Sequence, residues 1–477
     1  ESSYNKSPSR IFGEHSFNEV CLDFKPDIVM DIRDWWMFEY QQRSPYRNFF
    51  HWAIMPTVDA MPQNPQWINT FASADSVFAY SEFGRDTMLS QCPDIKFVNV
   101  ASPAASKDFF PVEDKLAHKS EMGLSDTAII VGTVMRNQRR KLYPDLFKAF
   151  REFLNQTQNS DVFLHCHKYY PDIGWETPAL LDQFELNNRV LFSYKCTNKS
   201  CGNLEVGFWN DSICFCNKCG QMTRKLVGIS NPLDEPELNK IYNCFDIYAQ
   251  YANSEGFGMP QLEAACAGVP LMATNYSAMQ SVVENLVAVG IDPVAYTMEA
   301  ETGCYRAIPN NAQFVEALKL YVDNKDKIRA KGIVTADIAR QKYSWDLAAD
   351  RWIERFRQVE MRDHSETWRS PLDIKNPAHY IPSGINDLVD QVNFLFTDVL
   401  HKPEWIGNYL WSKILKDCQF GYRVHNSDED FYFNESHLAS AASNNRYEDF
   451  SIDKALQELA KFRTQINDWE TLRGRVV

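Results

Sequence analysis

From Ala128 to Phe356 short apolar runs rich in β-branched residues alternate with stretches whose apolar positions recur at helical spacing. This alternation constrains the fold more than any other feature. A run such as Ala128-Ile129-Ile130-Val131 has no polar face, so it reads as a buried strand, and strand–helix–strand order at this spacing implies an open α/β sheet. Further strands are expected at Asp161–His165, Val190–Phe192, Ile247–Ala249 and Pro270–Ala273. Helices are expected at Leu142–Leu154, Glu237–Tyr242, Gln261–Ala267, Asn311–Asn324, Lys327 to about Gln341, and Trp345–Phe356. A first unit of the same kind precedes them, with strands at Ile28–Met30, Asp75–Tyr80 and Ile95–Val100 and a linker from Ser102 to Pro111. Beyond residue 360 the pattern becomes mostly helical, at 385–400, 405–415 and 452–466, with a polar loop at 426–445.

Composition excludes several classes. With 44% hydrophobic and 23% charged residues among 477, the chain is neither disordered nor fibrous. Its length implies roughly two to four domains. No uncharged apolar stretch reaches the ~18 residues of a membrane helix. The net charge of −14 argues against a general binder of polyanions, although a local basic patch is compatible with it. No signal peptide is seen, but the sequence starts at Glu1 rather than Met, so the true N-terminus and any targeting segment can lie outside it and the first domain can be truncated at its start; the expected location is cytoplasmic, the host cytoplasm if the source is viral.

The densest motif runs from Glu255-Gly256-Phe257-Gly258-Met259-Pro260 through Glu263 to Gly268. It joins a strand to a helix by a Gly-rich turn. Glycines let backbone amides approach a ligand closely, and Pro suits the first helical turn. The helix start then offers N–H groups and a positive dipole end to an anion such as a diphosphate. Glu255 and Glu263 flank the turn as acceptors for hydroxyl groups. A second motif, Val131-Gly132-Thr133-Val134-Met135-Arg136-Asn137-Gln138-Arg139-Arg140-Lys141, also links a strand to a helix. Its cations can stabilise the charge that builds on a departing diphosphate without a metal.

Together these stretches resemble the signature of retaining GT-B glycosyltransferases of the family 4 / group 1 type. The resemblance covers about residues 20–357 and is most specific over 128–285. It implies two Rossmann-like domains facing across a cleft, here a first, acceptor-side domain at 1–115 and a nucleotide-sugar domain at 125–345. A crossing helix and helical extension would follow at 346–477. It further implies that Glu255 contacts the donor sugar, that Glu263 binds the ribose, and that Gly256, Phe257, Gly258 and Met259 hold the diphosphate. Arg136 and Lys141 would be the catalytic cations. Arg139 and Arg140 lie between them, so the pairing can shift. His167, in His165-Cys166-His167, is expected to line the donor cleft. The activity implied is hexosyl or pentosyl transfer from a nucleoside-diphosphate sugar to an acceptor hydroxyl, with retention and an oxocarbenium-like transition state. No catalytic metal is expected, since no Asp-x-Asp is placed to hold one.

The acceptor side is less defined. The strand and Gly-rich loop that normally open the first domain are not evident before Ile28; His51 and Asp59 are candidate acceptor-side groups. The acceptor would be a glycan, a small molecule or a protein. Ala252-Asn253-Ser254-Glu255 and Asn275–Met279 look like bacteriophage-encoded members, for which a hydroxymethylated base in DNA is the alternative. A non-catalytic scaffold of transferase origin is the remaining reading.

Five of the 12 cysteines fall between Cys196 and Cys219. Two short-spaced pairs suit the four tetrahedral ligands of structural Zn2+. Cys196, Cys201, Cys216 and Cys219 are the expected set, with Cys214 able to replace Cys216. They would form a zinc ribbon at 194–222, inserted into the second domain.

Overall fold

The computed structural model describes residues 12–14, 16–44 and 46–360. The helices and the loop expected beyond residue 360 lie outside the described residues. The described residues fall into two compact units, one formed by those up to Ile54 with Ser73–Ser76 and residues 359–360, the other by Met55–Ala72 with Val77–Gln358.

In the first unit, helix α1 (Phe17–Phe24) leads to strand β1 (Ile28–Asp31), which pairs in parallel with β2 (His51–Ile54). Phe38 and Trp52 are completely buried. Burying the Trp52 indole requires a partner for its N–H, and Nε1 donates to Gln41 Oε1 at 2.7 Å. Gln41 Nε2 in turn donates to the Asp31 carboxylate at 2.7 Å, which Arg33 also pairs. The polar atoms of this core are thus linked rather than isolated.

The second unit begins with α2 (Pro65–Ser73) and β3 (Ser76–Ala79), apart from Ser73 and Ser76 themselves, and goes on to α3 (Glu82–Gln91), β4 (Val98–Val100) and α4 (Lys115–Glu121). Strands β3 and β4 are parallel. It continues with β5 (Ile129–Val134), α5 (Tyr143–Thr157), β6 (Val162–His167), α6 (Thr177–Gln183), β7 (Val190–Cys196), β8 (Leu204–Phe208), β9 (Cys214–Phe215) and β10 (Met222–Leu226). Then come α7 (Glu235–Cys244), β11 (Ile247–Gln250), α8 (Met259–Cys266), β12 (Leu271–Thr274), α9 (Ala278–Asn285) and β13 (Val289–Ile291). A hairpin, β14 (Pro293–Met298) and β15 (Tyr305–Pro309), precedes α10 (Asn311–Asp323), α11 (Lys325–Lys342) and α12 (Trp345–Arg357).

The large sheet has the order β13-β12-β11-β5-β6-β7-β10-β9, with β8 on β7. From β13 to β7 every pair is parallel. Strands β5, β11 and β12 are buried at every residue, as their unbroken apolar runs require. Gly132 on β5 allows the closest packing: a Cβ there would meet the Phe245 ring at 2.1 Å. The helices carry matching signals. In α5, Leu146, Phe147, Phe150, Phe153 and Leu154 form one buried stripe. Asp234 and Glu237 close a capping box at α7.

Strand β7 changes partner along its length. Its start lies parallel to β6, and its end, Tyr194–Cys196, lies antiparallel to β10. The cysteine-rich segment therefore grows out of the sheet edge. Helix α12 returns to the first strands of this unit: Arg351 donates to Val100 O, Phe356 packs edge-on to Phe78, and Arg355 lies 4.3 Å from the Phe97 ring.

Candidate functional site

The carboxyl ends of β5, β6, β11 and β12 carry the residues singled out by sequence, as ligand sites in parallel sheets generally do. Backbone pairing builds the centre. Lys141 and Ala252 form an antiparallel bridge, Asn253 N donates to Arg140 O at 2.9 Å, and Leu142 N donates to Tyr251 O at 3.0 Å. This pins the end of the basic motif against the approach to Glu255.

Glu255 is 4% exposed. Lys141 Nζ donates to its Oε1 and Arg140 Nη1 to its Oε2, while Gln250 Nε2 donates to Oε1 at 2.8 Å. A buried carboxylate between two cations is compensated, whereas removing either partner exposes a large desolvation cost. Burial and the adjacent Arg140 press Lys141 toward losing its proton; the Glu255 carboxylate in contact holds it. Glu255 N donates to Ser277 Oγ at 2.9 Å, and Ser277 has φ 57°, a left-handed conformation uncommon for a residue with a side chain. Strained backbone of this kind persists where its surroundings fix it.

The turn behaves as its glycines suggest. Gly258 has φ 84° and caps α8, with Pro260 in the first turn. A Cβ on Gly256 would meet Thr57 Cγ2 at 2.2 Å. Among the described residues, the amides of Gly256, Phe257, Gly258 and Met259 donate to no protein acceptor. The Phe257 ring is buried against Tyr343, so its contribution to a ligand is its backbone. Glu263 on α8 accepts from Tyr242 OH at 2.6 Å, and burial raises its pKa.

Other expected residues take different places. Arg136 is directed onto Asp172 through two hydrogen bonds of 3.0 and 3.1 Å, with its side chain 53% exposed. The structure brings Arg140, not Arg136, to Glu255 beside Lys141. His167 Nδ1 and His165 Nε2 both lie 2.9 Å from Ser193 Oγ on β7. Burial lowers His167 to about 4 and His165 to about 3, so both rings are neutral near pH 7. His51 lies 2.9 Å from Ser76 Oγ in the first unit. Asp59 is paired by Arg306 Nη1 at 2.7 Å. Arg306, Gln250 and Ser277 were not legible as site residues, because each is brought in by the fold from outside the two motifs.

The thiols of Cys196, Cys201, Cys216 and Cys219 lie within 4.8 Å of one another. Two of the S···S distances are 3.8 Å, near the ~3.8 Å edge expected for thiolates bound at ~2.3 Å around one tetrahedral Zn2+. The Gln221 backbone N–H lowers Cys219 to about 6, toward the thiolate a metal needs. Cys214 lies apart, its sulfur 3.0 Å from Asn210 Nδ2. The donor set and spacing of the four cysteines thus fit a metal ion.

Comparison with known proteins agrees with this geometry. Residues 224–331 match the family described as "Glycosyl transferases group 1". D-inositol 3-phosphate glycosyltransferase of Corynebacterium urealyticum is 27% identical over 173 residues. That match spans 33% of this chain and 36% of the relative, so the chain covers about a third of the curated relative's length. Sucrose-phosphate synthase of Thermosynechococcus elongatus superposes with a TM-score of 0.53 at 15% identity, covering 74% of this chain and 80% of that one. HepE of Anabaena, solved with UDP, gives 0.52 at 12% identity, covering 72% and 82%. The chain has the GT-B fold, and within it residues 224–331 match the group 1 glycosyl transferase family. No helix among the described residues is long and apolar enough to cross a membrane.

Proposed function

We propose that the protein transfers a hexosyl or pentosyl group from a nucleoside-diphosphate sugar to an acceptor hydroxyl, with retention of configuration. The observation that carries the reading is the convergence of Lys141 and Arg140 on Glu255 at the unpartnered amides of 256–259. In this reading the amides and the α8 dipole receive the diphosphate, and the two cations offset the charge of the leaving oxygen. Glu255 orients the sugar and Glu263 the ribose. Because HepE was solved with UDP, a uridine diphosphate sugar is the first donor to try. In this reading the four cysteines would hold structural Zn2+, which would stabilise the sheet edge without entering the chemistry.

Thermal melts of the full chain against a panel of nucleoside diphosphates and their sugars test this directly. A ligand bound only by the folded state raises Tm, by ~2.7 kcal/mol of stabilisation at 100 times Kd. A raised Tm together with nucleotide release from one donor is expected. No Tm rise with any nucleotide, and no release from any donor, would refute the reading.

A further inference from the structure

Arg306 lies on β15, in a hairpin that the reading above does not use, and its side chain is only 10% exposed. Nη1 donates to Asp59 Oδ2 at 2.7 Å and to Ser254 Oγ at 2.6 Å. Nε and Nη2 donate to Glu299 Oε2 at 3.2 and 2.6 Å. Ser254 is completely buried and immediately precedes Glu255. One guanidinium therefore ties Asp59 to the backbone that carries the sugar-side carboxylate. Two other contacts fix the same segment: Thr57 sits on Gly256, and Tyr305 N donates to Met61 O at 3.0 Å.

The charge of this cluster is informative. Asp59 and Glu299 share a single guanidinium, leaving one net negative charge. Their side chains keep 24% and 33% exposure, so neither is sealed from solvent. An ionised carboxylate can only accept hydrogen bonds. A molecule meeting Asp59 must bring O–H or N–H donors, and an anionic one is repelled. We infer that Arg306 is a positioning residue that presents Asp59 to the acceptor beside the Glu255 turn, and that the acceptor is a neutral polyhydroxylated molecule. This inference rests on the transferase reading.

The test uses the full chain with UDP-glucose and UDP-N-acetylglucosamine as donors. Methyl α-glucopyranoside and glucose 6-phosphate serve as neutral and anionic acceptors at equal concentration. Transfer to the neutral acceptor should be at least ~10-fold faster, the scale of one charge-assisted hydrogen bond. Asp59→Asn should lower the ratio of transfer to donor hydrolysis ~10-fold, mainly through the acceptor KM. Arg306→Gln should lower the same ratio and Arg306→Lys should restore part of it, while the UDP-induced rise in Tm persists in Asp59→Asn and Arg306→Lys. A purely structural Arg306 would move Tm without moving the KM. Equal use of glucose 6-phosphate, an unchanged ratio in Asp59→Asn, or donor hydrolysis without transfer to either acceptor would each overturn the inference. Absence of both nucleotide release and a UDP effect on Tm would instead sink the transferase reading, and this inference with it.

Discussion

Arg136 and Arg140 are four positions apart and have different partners. The family spacing points to Arg136, yet the bridge between Lys141 and Ala252 fixes the backbone so that Arg140 reaches Glu255. Arg136 meets Asp172 at the surface. That choice was illegible in the sequence because it depends on which residue reaches a carboxylate 115 positions away, not on residue type. Arg140→Ala and Lys141→Ala should therefore each lower kcat by ~10²-fold, the usual loss when one charge-stabilising donor is removed. Arg136→Ala should cost far less, within about threefold, since exposed ion pairs contribute little. Steady-state kinetics on one donor separates the two; an Arg136→Ala loss equal to that of Arg140→Ala would contradict the assignment. A pH effect belongs at this scale as well. His165 and His167 take up protons near pH 6.5 when unfolded but only near 3 and 4 when folded. Between those values the unfolded chain binds more protons, so stability rises with pH and is lost as pH falls below about 6.5. Urea midpoints at pH 7, 6 and 5 should show the gap between wild type and His167→Asn narrowing on acidification; a constant gap would mean that the ring titrates alike in the folded and unfolded chain.

Among the elements, those hidden on both faces were the easiest to anticipate. Strands β5, β6, β11 and β12 fall where continuous apolar runs demanded them, and α5, α10 and α12 follow their periodic stripes. The hairpin β14–β15 gave no such signal. Val294, Tyr296 and Met298 are exposed, as are the residues between them, so no period of two separates a dry face from a wet one. It nevertheless delivers Arg306, whose partner Asp59 lies 247 residues earlier. The clustering of the cysteines was legible because their spacing is local. The choice between Cys214 and Cys216 was not, and packing decides it: Cys216 lies in the thiol cluster and Cys214 bonds Asn210. Purified protein should hold about one zinc per chain, as a four-thiolate site implies. Cys214→Ser should keep that metal, and Cys216→Ser should lose it together with several degrees of Tm. Metal analysis showing equal loss in both variants would contradict the ligand set.

At the scale of the whole molecule, charge speaks to the acceptor. Duplex DNA is bound chiefly by neutralising phosphates, and each contact gives the affinity a steep dependence on salt. A chain with 49 basic and 63 acidic residues carries a field that opposes such binding unless cations gather on one face. Around the proposed acceptor position they do not gather as free charges: Arg306 is shared by Asp59 and Glu299, and Arg140 and Lys141 are both taken up by Glu255. Those two can turn to a diphosphate, which is small and enters beside the amides, but they offer no track for a polymer. The full chain should therefore pass through a duplex DNA column at ~50 mM salt without delay, since retention there needs several phosphate contacts. Retention that falls with a log–log salt slope of several units would mean that a basic face exists elsewhere on the chain. A base in DNA would then regain its place as the acceptor, at the expense of a neutral polyol at Asp59.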